Sequence, residues 1–220
     1  VNQVKRFNEW NIDELIFIDI SRDKNYDSNR DDHKIKRVNS LDEILEFVSN
    51  ECFMPLCFGG GIRDIETIKK YIKNGADKVS VNTLIYENPK IIREAVRIFG
   101  SQAIIASIDY KRLNNEIFFY KKNGTQRVDI EFKDLKKLIN SIGVGEIFLN
   151  SIDKDGSGEG YDIDIIKKFV GEIDLPIIAC GGALSIQDFK LVSEIDKISG
   201  VAAGNIFHFT ENIYPRAKTF

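Results

Sequence analysis

The sequence predicts an α/β protein of the (β/α)8, or TIM, barrel class, built from two half-barrels, with residues 1–220 forming a single domain. Three observations carry that expectation. Short β-branched runs alternate with amphipathic stretches of helical period, the pattern of βαβ units and a parallel sheet. Glycine turns close strands at matching places in the two halves of the chain. Apolar residues make up 43% of the chain, enough for a core of that size, while 30% charged residues of both signs argue against disorder.

Element by element, apolar residues at 1, 4, 7 and 10 place the start of the chain inside a helix. Strands are expected over 14–20, 54–58, 77–81, 103–109, 146–150, 176–180 and 200–203, with helices near 41–51, 64–74, 88–99, 131–142, 162–171 and 185–194. A polar hairpin, 116–120 and 127–130 around Asn123-Gly124, interrupts this alternation.

The duplication is visible in the letters. Glu14-Leu-Ile-Phe-Ile-Asp-Ile20 echoes Glu146-Ile-Phe-Leu-Asn-Ser-Ile152, and Pro55-Leu-Cys-Phe-Gly-Gly-Gly61 echoes Pro176-Ile-Ile-Ala-Cys-Gly-Gly182. Val79 and Val201 stand at nearly the same offset as those prolines. The first half carries an extra polar stretch, 22–37, expected to be a surface loop. The strand at 103–109 has no counterpart before Glu14, and its repeat partner is expected roughly 40 residues upstream of Glu14. The chain therefore reads as a fragment lacking its first strand and clipped near Ala217-Lys-Thr-Phe220.

Composition excludes several functions. Thirty-one basic against thirty-four acidic side chains, net −3, offer no nucleic-acid or anionic-membrane footprint. No apolar run approaches a membrane span and no leader pattern opens the chain. Cys52, Cys57 and Cys180 lack metal-ligand spacing and read as reduced thiols in a cytoplasmic protein. His33 and His208 lie far apart, so no metal and no other cofactor is expected.

Phosphate chemistry is the leading functional signal. Gly59-Gly-Gly61 and Gly181-Gly182 each follow a strand and lead into a helix, where a missing Cβ lets backbone N–H groups approach an anion. Each turn is matched with the end of the next strand, Ser80-Val-Asn-Thr83 and Ala203-Gly-Asn205. In barrels this position commonly holds phosphate, so two sites are expected across one mouth, suiting a substrate with a phosphate at each end. The competing reading is that these glycines merely permit tight turns. Among carboxylates, Asp109 ends an apolar strand and is the candidate for proton transfer. Asp19 nearly ends another, Asp155 before Gly156 is equally readable as a turn cap, and Asp153 reads as structural. Cys57 and Cys180 have no histidine base nearby in sequence and read as packing thiols, and His208 as packing or capping.

Pro55-Leu-Cys-Phe-Gly-Gly-Gly-Ile62, Gly75-Ala-Asp-Lys-Val-Ser-Val-Asn-Thr83, Phe99-Gly-Ser-Gln102, Ser151-Ile-Asp-Lys-Asp-Gly156 with Gly160-Tyr-Asp162, and Phe207-His-Phe209 resemble the HisF family, the cyclase subunits of imidazole glycerol phosphate synthase. The resemblance runs from about Val4 to the C-terminus. It implies a reaction of ammonia with a bisphosphorylated ribulosyl-formimino aminoimidazole carboxamide nucleotide, giving imidazole glycerol phosphate and aminoimidazole carboxamide ribotide in histidine biosynthesis. It also implies a HisH-type glutaminase partner, bound as a heterodimer, whose ammonia passes through the barrel. Asp109 falls on the fifth-strand catalytic aspartate, while the first-strand aspartate would lie in the missing segment. The phosphate sites carry over onto Gly61, Asn82 and Thr83 in one half, and onto Asp155, Gly156, Gly182, Gly204 and Asn205 in the other. Glu14, Lys78 and Glu146 resemble the charged ring at the ammonia entrance, although as strand-opening residues they otherwise read as solvated charge. Asp77 resembles a partner-interface residue.

Departures from the pattern are Asn150 for Thr, Ser157 for Thr, Gly204-Asn205 for Ala-Ser, and the long 22–37 loop. With Glu51-Cys-Phe-Met-Pro-Leu56, they resemble HisF paralogues of surface-polysaccharide gene clusters, which help convert sugar groups to amidines. A non-catalytic barrel that only activates a glutaminase is the third reading.

Overall fold

A computed structural model of the chain describes residues 2–21, 40–114, 116–209 and 213–218. The expected loop at 22–37, with His33, and the last two residues lie outside the described residues, as does the side chain of His208. The chain packs as two compact units, residues 1–79 and 80–220.

In the first unit, α1 (Asn2–Glu9) precedes β1 (Leu15–Ile18), α2 (Leu41–Glu51), β2 (Leu56–Gly59), α3 (Ile65–Lys73) and the start of β3 (Lys78–Val81). Both longer helices begin where a side chain satisfies an orphan N–H: Ser40 accepts from Glu43, and Asp64 accepts from the Thr67 N–H at 2.8 Å. β1 pairs in parallel with β2, Leu15 opposite Leu56 through Ile18 opposite Gly59. The core is Leu45, Val48, Leu56, Cys57, Phe58, Ile68 and Tyr71, with Phe17 edge-on to Phe58.

The second unit continues with α4 (Thr83–Glu87), α5 (Pro89–Phe99), β4 (Ile104–Leu113), β5 (Glu116–Lys121) and β6 (Gln126–Val128). Then follow α6 (Phe132–Ile142), β7 (Glu146–Ser151), α7 (Ile163–Glu172), β8 (Ile177–Cys180), α8 (Ile186–Ser193), β9 (Ile198–Ala202), α9 (Ile206–Phe209) and α10 (Ile213–Lys218). β4, β7, β8 and β9 lie side by side and parallel, with helices between successive strands from β7 onward. Local chemistry explains the boundaries. Pro89 opens α5 at the position where its missing N–H is harmless, Gly143 ends α6 in the left-handed region, and Ser185 and Asp188 form a capping box on α8.

The hairpin forms as the Asn-Gly signal implies. Lys122, Asn123 and Gly124 have φ of 54°, 55° and 73°, the left-handed conformations that match the twist of a tight antiparallel turn. β4, expected to stop at Asp109, runs on to Leu113 because its second half pairs with β5 instead of ending in a loop. One face of the hairpin is buried: Tyr110 and Phe119 pack with Phe132 and Phe169 as an aromatic cluster.

Candidate active site

Among the described residues, Asp109 is the one carboxylate in the body of a strand that burial makes expensive. It is 9% exposed, follows five residues of β4 that are all buried, and faces the same side of the sheet as its lateral neighbours. Register places Asp109 opposite Asn150 on β7, Asn150 opposite Cys180 on β8, and Cys180 opposite Ala202 on β9. These four side chains therefore form one row across the C-terminal ends of the parallel strands, where α/β proteins place their chemistry.

Asn150 Nδ2 donates to Asp109 Oδ1 at 3.2 Å. Desolvation by burial pushes the Asp109 carboxyl up to about 6, opposed by hydrogen bonds from Asn150 and Ser107 and reinforced by the charge of Asp155. A carboxyl poised there can hold or release a proton near neutral pH. Burial, with Asp155 adding to it, drives the Cys180 thiol up to about 12, so it stays protonated, in keeping with a packing role. The Tyr86 hydroxyl, buried and without a hydrogen-bond partner, is pushed up by burial and by Asp109.

The same unit holds a glycine-lined concavity. Asp155, Gly156, Gly182, Gly204 and Asn205, all singled out from the sequence, line it together with Gly181. The glycines divide by role. A Cβ on Gly181 or Gly182, both at positive φ, would strike the backbone carbonyl of Ser151 or of Gly160 respectively. Their glycine requirement is thus met by close backbone approach, sealed by the Gly160 N–H donating to the Gly182 carbonyl at 2.8 Å. Close backbone approach is a reason for glycine at 182 that the sequence reading did not include. Gly204, by contrast, has open space about its missing Cβ.

Asn82 and Thr83 sit at the start of α4 and tie it to the hairpin. Asn82 Nδ2 donates to the carbonyls of Ser107 (3.0 Å) and Tyr120 (3.2 Å), and Thr83 Oγ1 accepts from the Lys122 N–H at 3.2 Å. In the first unit, Gly61 has φ 63° with open space beside it, while a Cβ on Gly60 would collide with Asp19. Asp19 itself accepts from Ser21 N–H and Oγ, which makes it a turn-closing residue. Asp153 accepts from the Arg112 N–H and Ser151 Oγ, a structural use in line with its sequence reading.

At the opposite strand ends, Glu14 and Lys78 form an ion pair at 2.9 Å with side chains only 24% and 25% exposed. Glu146 accepts a long 3.4 Å contact from Ser199. Asp77 Oδ2 accepts from the Leu56 N–H at 2.8 Å, so it closes the entry of β2. Among the described residues, no group of three His, Cys, Asp or Glu side chains is arranged to hold a metal ion, and no helix is long and apolar enough to cross a membrane.

Sequence reasoning left two features unassigned: the hydrogen bond from Asn150 to Asp109, and the ion pair of Arg112 with Asp162, whose side chain is 3% exposed. Each joins segments about 40 or 50 residues apart and depends on strand register.

Residues 1–212 match the family model described as histidine biosynthesis protein. The chain belongs to the histidine biosynthesis protein family. Within it, the chain is 38% identical to imidazole glycerol phosphate synthase subunit HisF of Sulfurisphaera tokodaii, over 100% of this chain and 83% of that protein. It is 40% identical to a putative HisF subunit of Leptospira borgpetersenii over 94% of this chain and 78% of the relative. It is 37% identical to the putative subunit hisF2 of Pseudomonas aeruginosa, over 95% and 79%. The family's barrel class agrees with the parallel β/α order of both units.

Proposed function

We propose that this HisF-like chain is the cyclase subunit of an imidazole glycerol phosphate synthase. Ammonia released by a glutaminase partner reacts with the bisphosphorylated ribulosyl-formimino aminoimidazole carboxamide nucleotide, yielding imidazole glycerol phosphate and aminoimidazole carboxamide ribotide. The observation that carries this reading is Asp109, a buried carboxyl on β4 raised to about 6, with Asp155 of the glycine-lined cradle close enough to influence its charge. In this reading the carboxylate takes a proton as nitrogen bonds to carbon and returns one as the product departs. The backbone amides around Gly156, Gly182 and Gly204, with Asn205, hold one phosphate, and Asn82 and Thr83 at the start of α4 hold the other. In the first unit, the Glu14–Lys78 pair serves the ammonia entrance and Asp77 the partner-facing end.

The test is direct. Purified protein with ammonium salt and the bisphosphorylated nucleotide should form imidazole glycerol phosphate, and Asp109→Asn should reduce turnover by roughly two to four powers of ten. Absence of product from protein that binds the nucleotide would overturn the assignment.

The hisF2 and hisF3 names among the relatives mark HisF copies beyond the first in their organisms, and a second reading takes this chain for such a copy with a separate role. Here the chain passes ammonia to an amidine-forming step on a surface-polysaccharide sugar. Release of ammonia to a separate amidating enzyme, without turnover of the nucleotide, is the outcome that would select it.

A further inference from the structure

The Asn150 side chain is held in an orientation that satisfies Asp109 at its own expense. Its Nδ2 faces the Asp109 carboxyl, while its Oδ1 is buried and has no hydrogen-bond partner. The opposite flip would aim a carbonyl oxygen at a carboxylate, so Asp109 dictates the choice. An apolar residue would avoid an unsatisfied buried acceptor at this position, so an asparagine here marks a demand other than packing. The pairing of β4 with β7 fixes the two residues directly opposite, leaving Asn150 no freedom to serve another partner.

We infer that Asn150 is a positioning residue: from β7 it aims the Asp109 carboxyl and holds it ionised, so that the proton-transfer group is competent near neutral pH. The inference rests on the reading of Asp109 as the general acid–base. The other groups facing Asp109 are Ser107, which also donates to it, Asp155, which opposes its ionisation, and the Tyr86 hydroxyl and Cys180 thiol, both neutral. Asn150 and Ser107 are thus the groups that favour the charged form, and Asn150 is the one supplied by another strand.

The test compares Asn150→Leu, which keeps the shape without a donor, with Asn150→Thr, which keeps a hydroxyl donor. The Asp109 carboxyl is titrated by carbon-detected NMR, its resonance assigned with Asp109→Asn. Wild type should titrate near 6, Asn150→Leu at higher pH, and Asn150→Thr close to wild type. Losing one hydrogen bond to a charge should lower Asn150→Leu turnover at pH 6.5 about tenfold relative to pH 8.5. An unchanged carboxyl titration in Asn150→Leu, or an equal displacement in Asn150→Thr, would overturn the inference. A displaced titration in a protein that forms no imidazole glycerol phosphate would leave it standing and remove the cyclase assignment instead.

Discussion

Replacing Asp109 with asparagine should make the protein more stable while disabling it. The carboxyl, 9% exposed, titrates near 6 in the folded chain against an ordinary 3.8. That gap corresponds to about 3 kcal/mol of unfavourable ionisation. Between 3.8 and about 6 the folded protein retains a proton that the unfolded chain has lost, so raising pH through this window draws the equilibrium toward unfolding. The penalty is absent below the window and complete above it. An asparagine amide cannot ionise, yet its oxygen can still accept from Asn150. Asp109→Asn should therefore match wild type at pH 3 and exceed it by about 2–3 kcal/mol at pH 7.5, a rise in Tm of roughly 5–10 °C for a chain of this size. Thermal and urea unfolding at both pH values, beside ammonia-dependent turnover, measure the two effects. A variant less stable than wild type at pH 7.5, or a stability difference that does not change with pH, would refute the argument.

Three further outcomes test the surrounding architecture. Gly182→Ala should lose about 2 kcal/mol or more of stability, because its Cβ meets the Gly160 carbonyl at a φ of 103°. Gly204→Val should leave urea unfolding nearly unchanged but weaken binding of inorganic phosphate in titration calorimetry; phosphate affinity equal to wild type would remove Gly204 from the cradle. Arg112→Ala should cost roughly 2–3 kcal/mol, less than a fully enclosed pair because Arg112 is 33% exposed, and a further Asp162→Asn change should recover most of it. Unfolding of the single and double variants by denaturant decides the matter.

The alternation of strand and helix was legible because it depends on local period and on turn chemistry. The Asn123-Gly124 hairpin, the Asp64 cap and the Pro89 start all stand where their letters place them. What escaped was either too short or too distant. α4, five residues long, completes little more than one turn, so no apolar period can announce it. β4 continues past Asp109 because Lys111 and Arg112 find partners on β5, a fact of pairing that a polar local sequence hides. Within the site, Asp109 and the cradle residues could be read from strand ends and glycines. The service of Asn150 to Asp109 could not, since it needs the register between strands about 40 residues apart. Glycines alike in sequence also proved unlike in surroundings: Gly182 permits contact between two backbones, whereas Gly204 has open space beside it.

The loop after β7 is fastened twice, by the Gly160 N–H to the Gly182 carbonyl and by the Tyr161 hydroxyl to the Ala202 carbonyl at 2.8 Å. Segments following β7 and β8 and the end of β9 are thereby clasped into a single rigid bracket. A small anion arriving at the proposed phosphate site would find its seat already assembled and forfeit little chain entropy on binding. Capture should accordingly be fast and governed by departure, and lengthening any one of the three segments should loosen the grip of all of them.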